Sequence, residues 1–361
     1  MLRSAKHPIA RKKFSYQPFK RACRSFAALR MPELKPVSSR YSGFRVKVLS
    51  SIHHEKAPAM LPAALVSILL LELAYCLTFA YLALGNGMVQ QLDGIAICIL
   101  VYLISVRVGL VLATFLVAHL LNPEQPALRF FNRLGMLVKE SAVTLFAFSL
   151  PIPLSFLFAP RLRRTVPANV VLMVHGFVSN SGIWWWLARQ LRRSGGRGAG
   201  VDSLNLTPVF GDIERYLPQL NQRIAQLRAR GADHILLVGH SMGGLVCRTW
   251  LHDHVTDGKT ADGLRCSLLT LCTPWQGTRI ARLLPGRNLA QMTHHSAWRK
   301  ARLRTPDFPA LSMYSAHDNV VIPYTSGIDE HIDSTELHAL GHLSVLFDRR
   351  IAAAILARCQ A

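Results

Sequence analysis

Acidic residues are scarce in this chain: 20 Asp and Glu stand against 42 Lys and Arg, a formal net charge of +22. Charge of either sign is thin, at 17% of residues, while half are hydrophobic and the mean hydropathy is +0.24. That pairing argues for a membrane protein with basic faces rather than a nucleic-acid binder. There is no zinc-finger spacing and no helix interleaving basic with aromatic residues, so the common nucleic-acid modules are set aside. A disulfide framework is missing too. The seven cysteines (23, 76, 98, 247, 266, 272, 359) are scattered. Cys266 and Cys272 fall on one expected strand, too far apart along it to bridge, so reduced, buried thiols are expected. No internal repeat is apparent.

What is present comes in two parts. Residues 1–59 form a basic tail without periodicity, expected to be disordered; its first 57 residues carry fourteen Lys and Arg and two acids. Leu61–Leu84 and Gly94–Leu121 are apolar runs of bilayer length, with Glu72 and Arg107 as their only charges. They predict a transmembrane hairpin over 60–121. Both charges lie at similar depth, and intramembrane charges are usually paired, so a Glu72–Arg107 pair is expected. The loop Gly85–Asp93 has no Lys or Arg, whereas 122–164 holds several, which puts both ends of the hairpin and all that follows in the cytoplasm. A multi-pass protein of a bacterial inner membrane is the expectation. Ser141–Pro160 is uncharged but broken by Pro151 and Pro153, and is read as an interfacial or re-entrant piece of a 122–166 linker.

From Pro167 onward, over 167–361, the pattern changes to alternating strand and helix. Strands are expected at Asn169–His175, Gly200–Leu206, Ile235–Val238, Cys266–Cys272, Phe308–Ser315 and His331–Leu337. Helices are expected at Ser181–Arg193, Ile213–Gly231, Gly244 onward and Leu343–Arg358. Short connections between such elements imply an α/β domain with a mostly parallel sheet and helices on both faces.

The most informative stretch is HILLVGHSMGGLV, His234–Val246. It places G-x-S-x-G, Gly239–Gly243, between a strand-length apolar run and a helix, the context in which a serine is held as a nucleophile on a sharp turn. Ser241 is the candidate nucleophile, and the N–H of Met242 is one candidate oxyanion donor. The second donor is expected from the loop after the first strand of this domain, at Phe177 in VHGF, with His175 bracing that loop. A serine nucleophile needs a base and an acid that orients it. Asp318, just past a strand in SAHDNVV, and His342, before the terminal helix in ALGHLSVLF, are the candidates. His338, His317, Asp329 and Asp333 are the alternatives.

Taken in order, HGF (175–177), GHSMGG (239–244), CTPWQGT (272–278), YSAHDNVVIP (314–323) and GHLSVL (341–346) make the chain resemble the α/β-hydrolase lipases and esterases. The resemblance spans roughly 167–358. It implies the α/β-hydrolase fold, ester chemistry by Ser241, Asp318 and His342, an oxyanion hole at Phe177 and Met242, and no metal or cofactor. The substrate it implies is a lipid or small ester. An acyltransferase or thioesterase using the same triad is the near alternative, and a catalytically silent membrane module the distant one. The family's usual two opening strands have no obvious counterpart here.

Residues 278–305 carry seven Lys and Arg, no acid, and apolar residues from Ile280 to Trp298. They are expected to form a lid on the site, lying on anionic lipids. Trp184–Trp186 are read either as lining an acyl cleft or as core and bilayer anchors.

Overall fold

The structure, a computed structural model, describes residues 92–122, 124–162, 166–194, 198–283, 286–303 and 305–360, together with positions 67, 70–72, 74, 78 and 81. The expected tail and most of the first apolar run lie outside these.

Helix α1 (Leu92–Leu121) is followed by α2 (Phe130–Ser149). Among the described residues, one stretch is long and apolar enough to cross a membrane, Leu100–Leu121 of α1, with a mean hydropathy of 2.3. Leu100, Leu110, Leu116 and Leu120 are exposed, whereas Val111 and Ala118, two turns apart, are buried on the side that meets the rest of the chain. The expected ion pair forms: Arg107 Nη2 and Glu72 Oε2 are 2.8 Å apart. Helix α2 buries Met136, Glu140, Val143, Thr144 and Ala147, at helical spacing, and exposes Phe130, Phe131, Leu134 and Val138.

Ser141–Pro160 is divided between two structures. Its first half completes α2, and the Pro151–Pro153 turn that follows is buried, with Asn180 Nδ2 donating to the Ile152 carbonyl at 2.8 Å. Ala147 and Ile152 belong to the apolar cluster beneath the sheet. The region read as a linker is therefore packed into the domain that it precedes.

The sheet contains β1 (Asn169–Val174), β2 (Ala199–Leu204), β3 (His234–His240), the short pair β4 (Val255–Thr256) and β5 (Lys259–Thr260), β6 (Arg265–Leu271), β7 (Ala310–Ser315) and β8 (Asp333–Leu337). Between and after them run α3 (Trp185–Ser194), α4 (Leu217–Ala229), α5 (Met242–His254) and α6 (Arg349–Gln360). The parallel strands lie in the order β2-β1-β3-β6-β7-β8, and β5 pairs antiparallel with the start of β6. The β4–β5 hairpin turns on Asp257-Gly258, both at positive φ, a dipeptide whose turn signal the strand–helix reading passed over.

Strands β1 and β3 are apolar along their length because helices cover both faces of the sheet. One apolar cluster joins α4 and α5 to one face through Leu220, Ile224, Leu245 and Trp250. The other joins α3 and α6 to the opposite face through Leu187, Leu191, Ile351 and Ile355. Among the described residues no strand precedes β1. The β2 edge is instead covered by the preceding chain: Ser203 Oγ donates to the Pro160 carbonyl at 2.7 Å, and Leu162 and Pro167 lie over Gly200. In register, Val174 stands opposite Gly239 and His240 opposite Leu271, so β1, β3 and β6 end together and their loops gather at one sheet edge.

Candidate active site

Ser241 lies between β3 and α5 with φ 54° and ψ −125°, a conformation that a non-glycine residue holds only when its surroundings over-determine it. The glycines around it allow the close approach. A Cβ on Gly239 would stand 2.5 Å from the Gly244 backbone, and one on Gly243 2.2 Å from the Val174 carbonyl oxygen. Thr273 donates its hydroxyl to the Ser241 carbonyl at 3.1 Å, bracing the turn from the end of β6.

Met242 opens α5, so its N–H lies among those that a helix start leaves without an intrahelical acceptor. The 175–178 loop runs beside the serine: a Cβ on Gly176 would be 2.9 Å from Ser241 Cβ. His175 braces that loop. Its Nε2 accepts from the Leu206 N–H at 2.9 Å, so Nδ1 carries the proton and donates to the Gly176 carbonyl at 2.8 Å. Burial pushes its pKa down to about 4 and keeps the ring neutral.

Asp318 and His342 meet. His342 Nδ1 lies 2.9 Å and 3.1 Å from the two Asp318 carboxylate oxygens, and both side chains are buried. Asp318 Oδ1 also accepts from the Val320 and Val321 N–H groups at 2.7 and 2.8 Å. Burial opposes charge on Asp318, yet the imidazole and these donors outweigh it and hold the carboxyl below its ordinary range. Burial likewise opposes charge on His342, and the Asp318 carboxylate outweighs it, raising the His342 pKa above the usual histidine value.

Ser241 and His342 both line an apolar cavity of about 340 Å³. Among the described residues no hydrogen bond joins the two side chains; such contacts often tighten only when a substrate is bound. Phe177, Leu289 and Met292 form further walls, and so do Leu110, Val111 and Thr114 of α1 and Glu140 of α2.

The alternatives are engaged elsewhere. Asp329 pairs with buried Arg248, and His338 stands exposed beside Glu336. His317 Nε2 donates to the Pro126 carbonyl at 3.0 Å and its Nδ1 accepts from the Ala339 N–H. Asp333 is exposed at the start of β8. Trp184 is fully buried beneath the site with its ring edge-on to His240, while Trp185 packs on Phe146 and Phe158 and Trp186 on Phe347. Trp184 belongs to the core on the α3 face, Trp186 packs against that core, and none of the three lines the cavity.

The segment expected to form a lid contributes part of the cavity wall. Ile280, Ala281, Leu289 and Met292 line the cavity, and Arg279 donates to the Leu121 carbonyl at the end of α1. Arg299 and Arg302 have partners within the protein. Arg299 donates to the Trp275 and His294 carbonyls, and Arg302 pairs with Asp253. Arg304 lies outside the described residues.

Sequence reasoning missed three residues at the site. His240 Nε2 donates to the His342 carbonyl at 3.0 Å, and burial followed by the charge of His342 pushes its pKa down to about 3. Asn319 accepts from the His342 N–H through Oδ1 at 2.8 Å and donates through Nδ2 to Thr114 Oγ1 at 2.8 Å. Both lie inside a quoted motif, beside the residue singled out there, which was the available signal. Glu140 had none beyond being an acid in an apolar, basic segment. Cys272 lies beside Asp318 and His342, their donor atoms within 4.8 Å of one another. Its thiol is pushed well up by burial and by the Asp318 charge, so it stands as a protonated neighbour of the carboxylate.

A family model described as alpha/beta hydrolase fold matches residues 169–283, from β1 through the elbow and past β6. The chain has the α/β-hydrolase fold. Its sheet order agrees, and the matched stretch includes Phe177, Ser241 and Met242. No curated protein matches the chain. Among solved structures it is similar to the mature form of the Bacillus licheniformis lipase BlEst2, at 14% identity over 55% of this chain and 96% of that one, with a TM-score of 0.45. Against the Aspergillus fumigatus lipase B the values are 15%, 73%, 85% and 0.48, and against the metagenome-derived lipolytic enzymes LipS and LipT 18%, 56%, 98% and 0.43. Likeness at this level carries no argument about substrate.

Proposed function

We propose that this α/β hydrolase is a membrane-anchored serine esterase that cleaves carboxylic esters, lipids among them. The observation that carries the reading is the strained Ser241 sharing one apolar cavity with His342, whose Nδ1 faces a buried Asp318. In this reading Ser241 Oγ attacks the ester carbonyl while His342 Nε2 takes its proton. The N–H groups of Met242 and Phe177 receive the oxyanion; one such donor is worth about 3–4 kcal/mol of transition-state stabilisation. The tetrahedral intermediate collapses, His342 returns the proton to the leaving alcohol, and an acyl-Ser241 ester remains. Water, deprotonated by His342, then attacks that ester, releasing the acid and restoring the serine. Asp318 holds the imidazole in the tautomer with the proton on Nδ1 and stabilises the imidazolium. The cycle asks nothing of a metal or cofactor.

The lipid part of the proposal rests on the cavity wall. Three residues of α1, the helix long enough to span a bilayer, line the space in front of Ser241, and the apolar faces of α1 and α2 are exposed around it. An acyl chain leaving a bilayer along α1 would meet the cavity without crossing water. The charge pattern favours a hairpin with the hydrolase domain on the cytoplasmic side. The test is labelling of the full chain by a fluorophosphonate in intact cells and in inverted membrane vesicles, wild type beside Ser241→Ala. Labelling in vesicles alone, lost in the variant, supports activity and side together. Equal labelling of the variant defeats the reading.

A further inference from the structure

The triad's histidine is held by a residue from outside the matched hydrolase stretch. Glu140, on α2, is 1% exposed, and its two carboxylate oxygens accept from the backbone N–H groups of Leu343 and Ser344, each at 2.8 Å. Those are the two residues that follow His342. The fit leaves no slack: a Cβ on Gly341, just before His342, would come within 2.4 Å of Glu140 Oε2. Glu140 also lines the cavity that holds Ser241 and His342. A second link joins the same loop to α1, from Thr114 Oγ1 through Asn319 to the His342 N–H.

We propose that Glu140 is a positioning residue for His342: as a carboxylate it clamps the histidine loop by two backbone hydrogen bonds and adds a second negative charge beside the imidazole. The donors favour the charged form. Each oxygen is met by an N–H, and the ionised carboxylate is the stronger acceptor for both. Carboxylates that accept backbone N–H groups make bonds roughly twice as strong as neutral ones. Burial works the other way and raises the Glu140 pKa above the ordinary glutamate value, with the Leu343 and Ser344 donors and the His342 charge opposing it.

The ionisable groups that face His342 come from several elements. Asp318 follows β7, His240 ends β3, Cys272 follows β6, and Glu140 comes from α2. Cys272 is a protonated thiol and His240 a neutral ring, so Asp318 and Glu140 are the two that bring negative charge. The two act differently. Asp318 touches the ring nitrogen, whereas Glu140 touches the backbone that carries the ring. Glu140 thereby makes the helical segment before the sheet part of the site's working geometry.

This inference rests on the triad reading, and its test separates the two. Purify the full chain in detergent micelles and follow hydrolysis of a short soluble p-nitrophenyl ester against pH for wild type, Glu140→Gln, Glu140→Asp and Ser241→Ala. In Glu140→Gln, kcat should fall on the order of tenfold to a hundredfold with KM little changed, since a base displaced by about an ångström loses that much. Its acid limb in kcat/KM should move to lower pH by about half a unit or more, because a nearby anion favours the imidazolium and its removal lowers the His342 pKa. Glu140→Asp keeps the charge but is too short to meet both N–H groups, so kcat should fall while the limb stays. A Glu140→Gln enzyme with the wild-type limb and kcat overturns the proposal and leaves the triad standing. If Glu140→Gln loses the wild-type unfolding transition, Glu140→Asp decides: an unchanged kcat overturns the clamp. An active Ser241→Ala overturns the triad reading itself.

Discussion

The cavity in front of Ser241 has two walls, built in different ways. The sheet wall carries Phe177, Ser241, Asn319 and His342, each within a few residues of the end of a parallel strand. The helical wall carries Leu110, Val111, Thr114 and Glu140, all from helices that lie about two hundred positions or more before His342, and Thr114 and Glu140 hydrogen-bond to the loops around it. Strand register places the first set, because β1, β3 and β6 end side by side. Docking of α1 and α2 on the finished sheet places the second. In the proposed mechanism the reacting groups belong to the sheet, and the groups proposed to select and orient belong to the segment before it.

The largest effect should come from the sheet wall. Ser241→Ala should reduce ester turnover by on the order of 10⁴-fold or more. Its melting temperature should match wild type or exceed it, since the strained turn loses little with alanine; a calorimetric scan checks the fold and a spectrophotometric ester assay the activity. Residual activity of a few per cent would break the assignment of chemistry to this wall.

Asp318→Asn should follow, with a loss on the order of 10⁴-fold, the cost of leaving the imidazole in the wrong tautomer. The pH profile sharpens the point. The base works unprotonated, so activity rises with pH through the His342 pKa. That pKa is raised by Asp318, so the wild-type acid limb should lie above about 6.5, the ordinary histidine value, and should move down in the variant. A limb that rises in Asp318→Asn would contradict the charge relation drawn from the structure.

The helical wall should give a selective effect. Val111→Phe adds bulk at a buried position of α1 that lines the cavity. Turnover of a long-chain ester should fall on the order of tenfold relative to a short soluble ester, about what a poor fit of one or two methylenes costs. Equal losses on both substrates would mean that α1 supports the fold and does not shape the acyl space.

Arg302→Gln should have the smallest effect. The side chain pairs with Asp253 while part-exposed, and pairs of that kind are worth about 0.2–1 kcal/mol. Chemical denaturation should show a loss within that range. Activity on vesicles of rising anionic-lipid content should match wild type, because this arginine faces protein. A variant that loses a response to anionic lipid would return Arg302 to the membrane-facing role that its charge first implied.

Legibility followed the same division. Strand positions were readable because an apolar run between breakers has few other uses, and the elbow because a serine there needs Gly239 and Gly243 on either side. Asp318 and His342 could be ranked above Asp329 and His338 from their place after late strands, yet only burial and the 2.9 Å contact separate them from those rivals in space. The intramolecular partners of Arg299 and Arg302 were not legible. A basic, acid-free stretch resembles a membrane patch until the carboxylate and carbonyl partners supplied by distant segments are seen.

By itself the sequence determined the local physics: which segments are apolar enough for a buried strand or a bilayer-length helix, where the backbone must turn too tightly for a Cβ, and which side chains can act as nucleophile, base and acid. These depend on neighbours a few residues apart. Tertiary structure alone decided that Ser141–Pro160 packs into the domain, that α1 walls the cavity, and that Glu140 reaches the loop of His342. Those outcomes turn on which apolar faces meet once the sheet exists, and burial between segments two hundred residues apart leaves no pattern in either one.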